Sequence, residues 1–259
     1  MIKPKLKSGE YFNSLQDGLF NGDKLSEFEY RKILKDLIGE NSPAAIGAIG
    51  FAHAIMGEND KAISWLQSFS PFSDFLVFRS YGILLRYFAR NKELIKHTLD
   101  YSDTFSDVWL NWMSMEYYYT IGDIVSSAKK GREFLSMLPE SKNKERAEYS
   151  ISKQLDSLSL VYSSGHCTPE QLRIVSDLTL DILDKYCVPL KYVELFYWGE
   201  DGTSYEVGVG SLAKTDKTLF DLDDELLKRM IEIRELDSCE VTPTFSIGGL
   251  SNWRYIHGA

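Results

Sequence analysis

Arg90, Asn91 and His97 have residue types and a spacing that could support acid–base chemistry on a phosphate ester. Arg90 would hold a phosphate through its guanidinium group, and His97 would act as a general acid or base near neutral pH. The same residues also fall on a predicted turn and the helix after it, so packing alone explains them. We favour the structural interpretation and keep a catalytic role for these residues as the alternative.

The pattern Arg90-Asn91, five residues, then His97 resembles the arginine-to-histidine spacing of the HEPN ribonucleases. The resemblance implies a helix that presents both side chains to an RNA backbone. It also implies that two chains would pair to complete the site. A metal-independent ribonuclease that uses Arg90 and His97 is therefore the alternative function.

Other clusters of reactive residues lack the partners that a metal or cofactor site needs. His166-Cys167 has no second Cys/His pair, although a cysteine just before a helix start can have a lowered thiol pKa. The acidic group Asp221, Asp223, Asp224 and Glu225 lacks the glycine and final glutamate of a calcium loop, and it stands at a predicted helix start. We therefore predict no metal and no cofactor.

Charge and cysteine usage limit the possible partners and compartments. The net charge is −9, and residues 191–240 hold six Lys or Arg against thirteen Asp or Glu, a net −7. Such a region disfavours nucleic acid and suits a basic protein surface. The cysteines are few and odd in number, so a disulfide framework is not expected and a reducing compartment fits best. No apolar segment follows the N-terminal lysines, as a signal peptide requires. We expect a cytoplasmic protein that does not bind membranes.

The elements that position these residues begin with a repeated frame of small, bulky and turn residues. Its clearest copy is Gly50, His53, Gly57, Ala62, Leu66 and Phe69. Shifts of 32 and then 33 residues give similar frames around Ala89 and Gly122, and a shift of 35 residues back from Gly57 reaches Gly22. This repetition predicts four helical hairpins with turns at Gly22, Gly57, Ala89 and Gly122.

This frame resembles the tetratricopeptide repeat (TPR) over about residues 9–139, with Pro139 where that family often closes a repeat. The resemblance implies stacked antiparallel helices whose first members line a groove for another protein. Transferred to this chain, the groove positions are Phe51, Arg79, Ile83, Arg86, Tyr87, Trp109, Trp112, Glu116 and Tyr119. Arg, Trp and Tyr often dominate binding interfaces, although the tryptophans would equally fill a core. His53 is expected to be a core histidine.

The predicted secondary structure changes after the repeats. Residues 139–148 are highly charged and predict a loop. One helix is predicted after this loop and ends at about Ser163, and a second is predicted from Thr168 to about Tyr186. Beyond Pro189, β-forming segments at 191–198 and 203–212 predict a hairpin, and residues 238–247 predict a strand that is either at the sheet edge or interrupted at Pro243. Between them, residues 221–235 predict an amphipathic helix with apolar positions at Leu222, Leu226, Leu227, Met230 and Ile233. Trp253 and Tyr255 are expected to anchor the tail.

We therefore predict a mainly α, α+β fold. Residues 1–187 would form a domain of TPR-like helical hairpins, and residues 188–259 a small β-β-α-β module docked on the last helices. The expected function is non-enzymatic protein binding, as an adaptor, a chaperone or an antitoxin-like neutraliser. The compactness of the sequence suggests that it comes from a bacterium or a mobile element. The partner would be acidic and apolar in the groove, or basic at the C-terminal module.

Overall fold

The computed structural model describes residues 7–248 and confirms an α+β fold that is mainly helical. The helices that precede the sheet are α1 (Lys7–Asn21), α2 (Glu27–Leu37), α3 (Pro43–Ile55), α4 (Asn59–Gln67), α5 (Phe75–Tyr87), α6 (Asn91–Asp100), α7 (Val108–Thr120), α8 (Ile124–Met137), α9 (Lys142–Ser164) and α10 (Pro169–Lys185). The remaining elements are β1 (Leu190–Tyr197), β2 (Thr203–Val209), α11 (Leu219–Ile231) and β3 (Val241–Ile247). The predicted tail anchors Trp253 and Tyr255 lie outside the described residues.

The chain divides into two compact units, Met1–Arg90 and Asn91–Ala259. The first unit holds α1 to α5, and the second holds α6 to α11 with the sheet. The boundary predicted between residues 187 and 188 lies within the second unit. Residues of α9, α10, the sheet and α11 form one hydrophobic core there, so the β-β-α-β segment shares its core with the preceding helices.

Helix α3 is central in the first unit and packs against α1, α2, α4 and α5. Its glycines allow this close approach. A Cβ atom added to Gly50 would lie 2.9 Å from Cγ of Leu66 on α4, and one added to Gly47 would lie 2.6 Å from a ring carbon of Phe12 on α1. Small residues therefore stand where α3 crosses its neighbours, as the repeated frame predicts.

The four predicted turns are confirmed. Each has a left-handed residue at the predicted position, with φ of 74°, 79°, 55° and 79° at Gly22, Gly57, Ala89 and Gly122. The next amide then bonds to a carbonyl five residues back, as from Glu58 to His53 at 2.9 Å and from Asp123 to Tyr118 at 2.8 Å. This bond satisfies a carbonyl at the helix end that would otherwise lack a partner. Of the third predicted hairpin, α5 belongs to the first unit and α6 to the second.

The loop predicted over residues 139–148 is wrong from Lys142 onward, where α9 begins. Ser141 caps this helix by accepting a hydrogen bond from the Lys144 amide at 3.3 Å. The charged residues of the segment are strong helix formers that stay in solvent while Ala147 is buried. The predicted helix end at Gly165 and the capping box of Thr168 and Gln171 are both confirmed.

The sheet has the order β1-β2-β3. Strands β1 and β2 form the predicted antiparallel hairpin, whereas β2 and β3 are parallel and joined through α11. The edge position predicted for β3 from Pro243 is confirmed. Pro243 has no N–H to present at this edge, and the outward amide of Phe245 donates to Oδ1 of Asp223 at 2.6 Å. The edge is thereby protected against pairing with another strand.

Candidate functional site

The predicted groove positions on α3 and α5 lie partly in the core of the first unit. Phe51 is fully buried, with its ring centroid 5.3 Å from that of Phe12, because α1 packs across this side of α3. Ile83 is also buried. The other positions on α5 are half-buried, and each already interacts with another group of the protein: Arg79, Arg86 and Tyr87. The groove assignment on α5 therefore remains a prediction.

Two of the four predicted positions on α7, Trp112 and Tyr119, are core residues of the second unit. Trp112 is buried with its ring centroid 5.1 Å from that of Phe134, so it packs between α7 and α8. Tyr119 is buried, and its hydroxyl accepts a hydrogen bond from the Leu195 amide of β1 at 3.1 Å. Trp109 is half-buried. The repeat frame contains helices only, so it does not predict that β1 covers the end of α7.

Glu116 lies one turn before Tyr119 and is half-buried. Burial, together with the nearby negative charge of Glu194, raises the pKa of Glu116 to about 7, against a weak hydrogen bond of 3.5 Å from Gln154. A carboxyl group in this setting is protonated for part of the time near neutral pH. It is therefore a weaker anchor for a basic ligand than an exposed carboxylate.

The two residues of the ribonuclease pattern have separate structural roles. Arg90 forms a 3.6 Å ion pair with Asp60 in the first unit. His97 is only 7% exposed in the second unit, and its ring centroid lies 5.7 Å from that of Tyr101. A general acid or base must reach its substrate within hydrogen-bonding distance, so this burial weighs against the ribonuclease alternative.

The acidic group at the start of α11 is used within the fold. Asp221 completes a capping box with Thr218, and Asp223 caps the edge of β3. Asp224 pairs with Lys228 at 2.6 Å, and Glu225 accepts a hydrogen bond from Tyr186 at 2.6 Å. Within residues 7–248, no group of three or more His, Cys, Asp or Glu side chains is arranged to hold a metal ion.

Helix α11 carries two apolar stripes on different faces. One stripe is buried in the core of the second unit and consists of Leu222, Leu226 and Met230. The other consists of Phe220, Leu227 and Ile231, which are 76%, 40% and 80% exposed. Their spacings of seven and four residues place them in one line along the helix. We call these three residues the α11 outer face.

Acidic side chains border the α11 outer face. Asp221 and Glu232 are exposed beside it, and Asp224 lies within it but is paired with Lys228. This helix belongs to the segment with a net charge of −7. Contiguous exposed apolar groups with a polar border are characteristic of surfaces that bind other proteins.

The sequence does not predict this surface, because Leu227 is counted among the apolar positions of a single amphipathic face, whereas it is 40% exposed in the structure. A signal was nevertheless present. Core residues at 222, 226 and 230 already satisfy one face, which leaves Phe220, Leu227 and Ile231 as a second stripe about 120° away. An amphipathic surface helix needs only one such stripe, so the second requires its own explanation.

Comparisons with protein-family models, with curated proteins and with solved structures each find no match for this chain. Among the described residues, no helix is long and apolar enough to cross a membrane.

Proposed function

We propose that this protein is a non-enzymatic binding protein, such as an adaptor, a chaperone or an antitoxin-like neutraliser, and that the α11 outer face contacts its partner. The supporting observation is the exposure of Phe220, Leu227 and Ile231 in one line on a helix whose other face is fully packed. Burying one such side chain stabilises a complex by about 1.5–3 kcal/mol. Three such side chains in one line would form the apolar centre of the interface, inside its polar border.

The partner's chemistry follows from the border of this surface. It would present an apolar patch flanked by Lys or Arg, because Asp221 and Glu232 stand beside the α11 outer face and the surrounding segment is acidic. Opposite charges at the rim accelerate association and select the partner, while the apolar centre supplies most of the affinity. Raising the salt concentration should therefore slow association more than it speeds dissociation.

The TPR-like frame supports the same class of function. Its hairpins and left-handed turns are of the kind that such repeats use, and repeats of this type hold peptides or proteins in other molecules. The half-buried Arg79 and Arg86 would then form a second, separate contact on α5.

Affinity purification of the full-length protein from its native host, followed by mass spectrometry, tests the proposal. The wild type is compared with the double variant Phe220→Ser and Ile231→Ser, and the captured protein is then titrated against both. We expect a basic protein that is captured by the wild type and loses at least about a hundredfold in affinity with the variant, or ~3 kcal/mol.

Val125→Ser is the matched control, because Val125 on α8 is 76% exposed in the same unit. This variant should retain the partner, and thermal unfolding should show that all variants remain folded. If the double variant on α11 binds as tightly as the wild type, the assignment of this surface fails. Arg79→Glu with Arg86→Glu tests the α5 groove separately, and unchanged capture by that variant removes the groove from the proposal.

A further inference from the structure

Two cysteines far apart in sequence meet inside the second unit. The Sγ atoms of Cys167 and Cys239 are 3.6 Å apart, although 72 residues separate them. A disulfide requires about 2.05 Å between sulfur atoms, so an approach of about 1.5 Å would join them. We propose that Cys167 and Cys239 form a dithiol site that reacts with a low-molecular-weight disulfide and closes to an internal disulfide. This inference does not depend on the proposed binding function.

Backbone hydrogen bonds hold the two segments side by side. The Glu240 amide, next to Cys239, donates to the carbonyl of His166, next to Cys167, at 2.7 Å. Gln171 fixes the same segment from α10, because its Nε2 donates to the Glu235 carbonyl at 2.9 Å. The sulfur atoms therefore meet through the fold's own pairing of the α10 start with the segment before β3.

The two thiols differ in access, and this difference assigns their roles. Cys239 is half-buried and can be reached by a small reagent, whereas Cys167 is only 1% exposed. While both groups are protonated, the Cys239 thiol donates to the Cys167 sulfur at 3.6 Å. Once Cys239 is ionised, the Cys167 thiol donates to it instead, which lowers the pKa of Cys239, while the same contact and burial raise the pKa of Cys167. Cys239 is thus the attacking thiolate, and Cys167 is the thiol that completes the reaction.

The reaction has two balanced steps. First, the Cys239 thiolate attacks one sulfur of the small disulfide, which forms a mixed disulfide and releases one small thiolate. Cys167 then loses its proton and attacks Sγ of Cys239, which forms the Cys167–Cys239 bond and releases the second small thiolate. The two protein thiols lose two electrons and two protons in total, and the small disulfide becomes two small thiols.

The test uses full-length protein carrying Cys187→Ser, since Cys187 is exposed and would react independently. This protein is incubated with oxidised glutathione, remaining thiols are blocked, and unreduced peptides are mapped by mass spectrometry. We expect one linked peptide pair containing Cys167 and Cys239, with two glutathione thiols released per chain. Adding Cys167→Ala should instead leave one glutathione on Cys239, and adding Cys239→Ala should leave Cys167 unmodified.

The proposal is overturned if glutathione remains on Cys239 while Cys167 is present. It is also overturned if neither cysteine reacts under conditions that modify Cys187 of the wild type, which serves as the positive control for the reagent. Circular dichroism establishes that the alanine variants are folded. If one alanine variant is unfolded, the presence or absence of the linked Cys167–Cys239 peptide in the Cys187→Ser protein still tests the proposal.

Discussion

The contacts inside the first unit and those inside the second unit differ in how far apart their residues lie in the sequence. In the first unit, α3 packs against the helices that stand one or two places away in sequence. In the second unit, Asn91 at the start of α6 bonds to residues almost a hundred positions later: its side chain donates to the Val188 carbonyl and accepts from the Leu190 amide, both at 2.9 Å. The first unit therefore depends on local pattern, and the second on pairing of distant segments.

The largest expected effect would come from locking one distant pairing. Oxidation of Cys167 and Cys239 in the Cys187→Ser protein should raise the free energy of unfolding by about 4 kcal/mol, because the bond closes a long loop in the unfolded chain. Urea unfolding with and without reductant measures this change. Hydrogen exchange should show the added protection in peptides of the second unit. Equal protection of α1 to α5 would contradict the contrast between the units.

Two equivalent turn glycines test the same contrast by mutation. Gly57→Ala should cost about 1 kcal/mol, since its left-handed backbone disfavours a side chain but nothing lies within 4 Å of the added Cβ. Gly122→Ala should cost about 2–3 kcal/mol, because its Cβ would also lie 2.6 Å from Oη of Tyr162. Chemical denaturation of both variants compares them. Equal losses would mean that contacts with α9 add nothing to this turn.

The smallest effects should be pH-dependent and opposite in sign. Glu58 in the first unit accepts hydrogen bonds from Tyr30 and Lys61, which lower its pKa to about 2 from an ordinary 4.5. Its stabilisation is complete above pH 4.5 and is lost as the pH falls toward 2. Glu116 in the second unit has a pKa raised to about 7, so its ionisation destabilises the fold above pH 7, and this penalty fades as the pH falls to 4.5.

Glutamine variants separate these two contributions. Glu58→Gln should lose about 1 kcal/mol at pH 7 and match the wild type near pH 2. Glu116→Gln should be more stable than the wild type at pH 8, with the difference shrinking by pH 5. Thermal unfolding across this pH range provides the measurement. A Glu116→Gln protein that is less stable at pH 8 would show that its carboxylate has a stabilising partner.

Much of the fold could be predicted because its signals are local. The turns at Gly22, Gly57, Ala89 and Gly122 and the capping box at Thr168 depend on residues within a few positions of each other. The β1–β2 hairpin joins strands that are adjacent in sequence. The start of α9 was missed because charged residues suit both loops and exposed helices. The α11 outer face was not predicted, because the exposure of a side chain depends on what packs against its helix.

The sequence by itself determined where most helices and turns begin and end, the start of α9 excepted, because capping, glycine conformation and periodicity act over one or two turns of chain. Only the tertiary structure decided which side chains are available. It buried Phe51 and Trp112 under neighbouring helices, left Phe220 and Ile231 exposed, and brought Cys239 to Cys167. These outcomes depend on segments that are distant in sequence, and no local pattern of residues specifies which distant surfaces will meet.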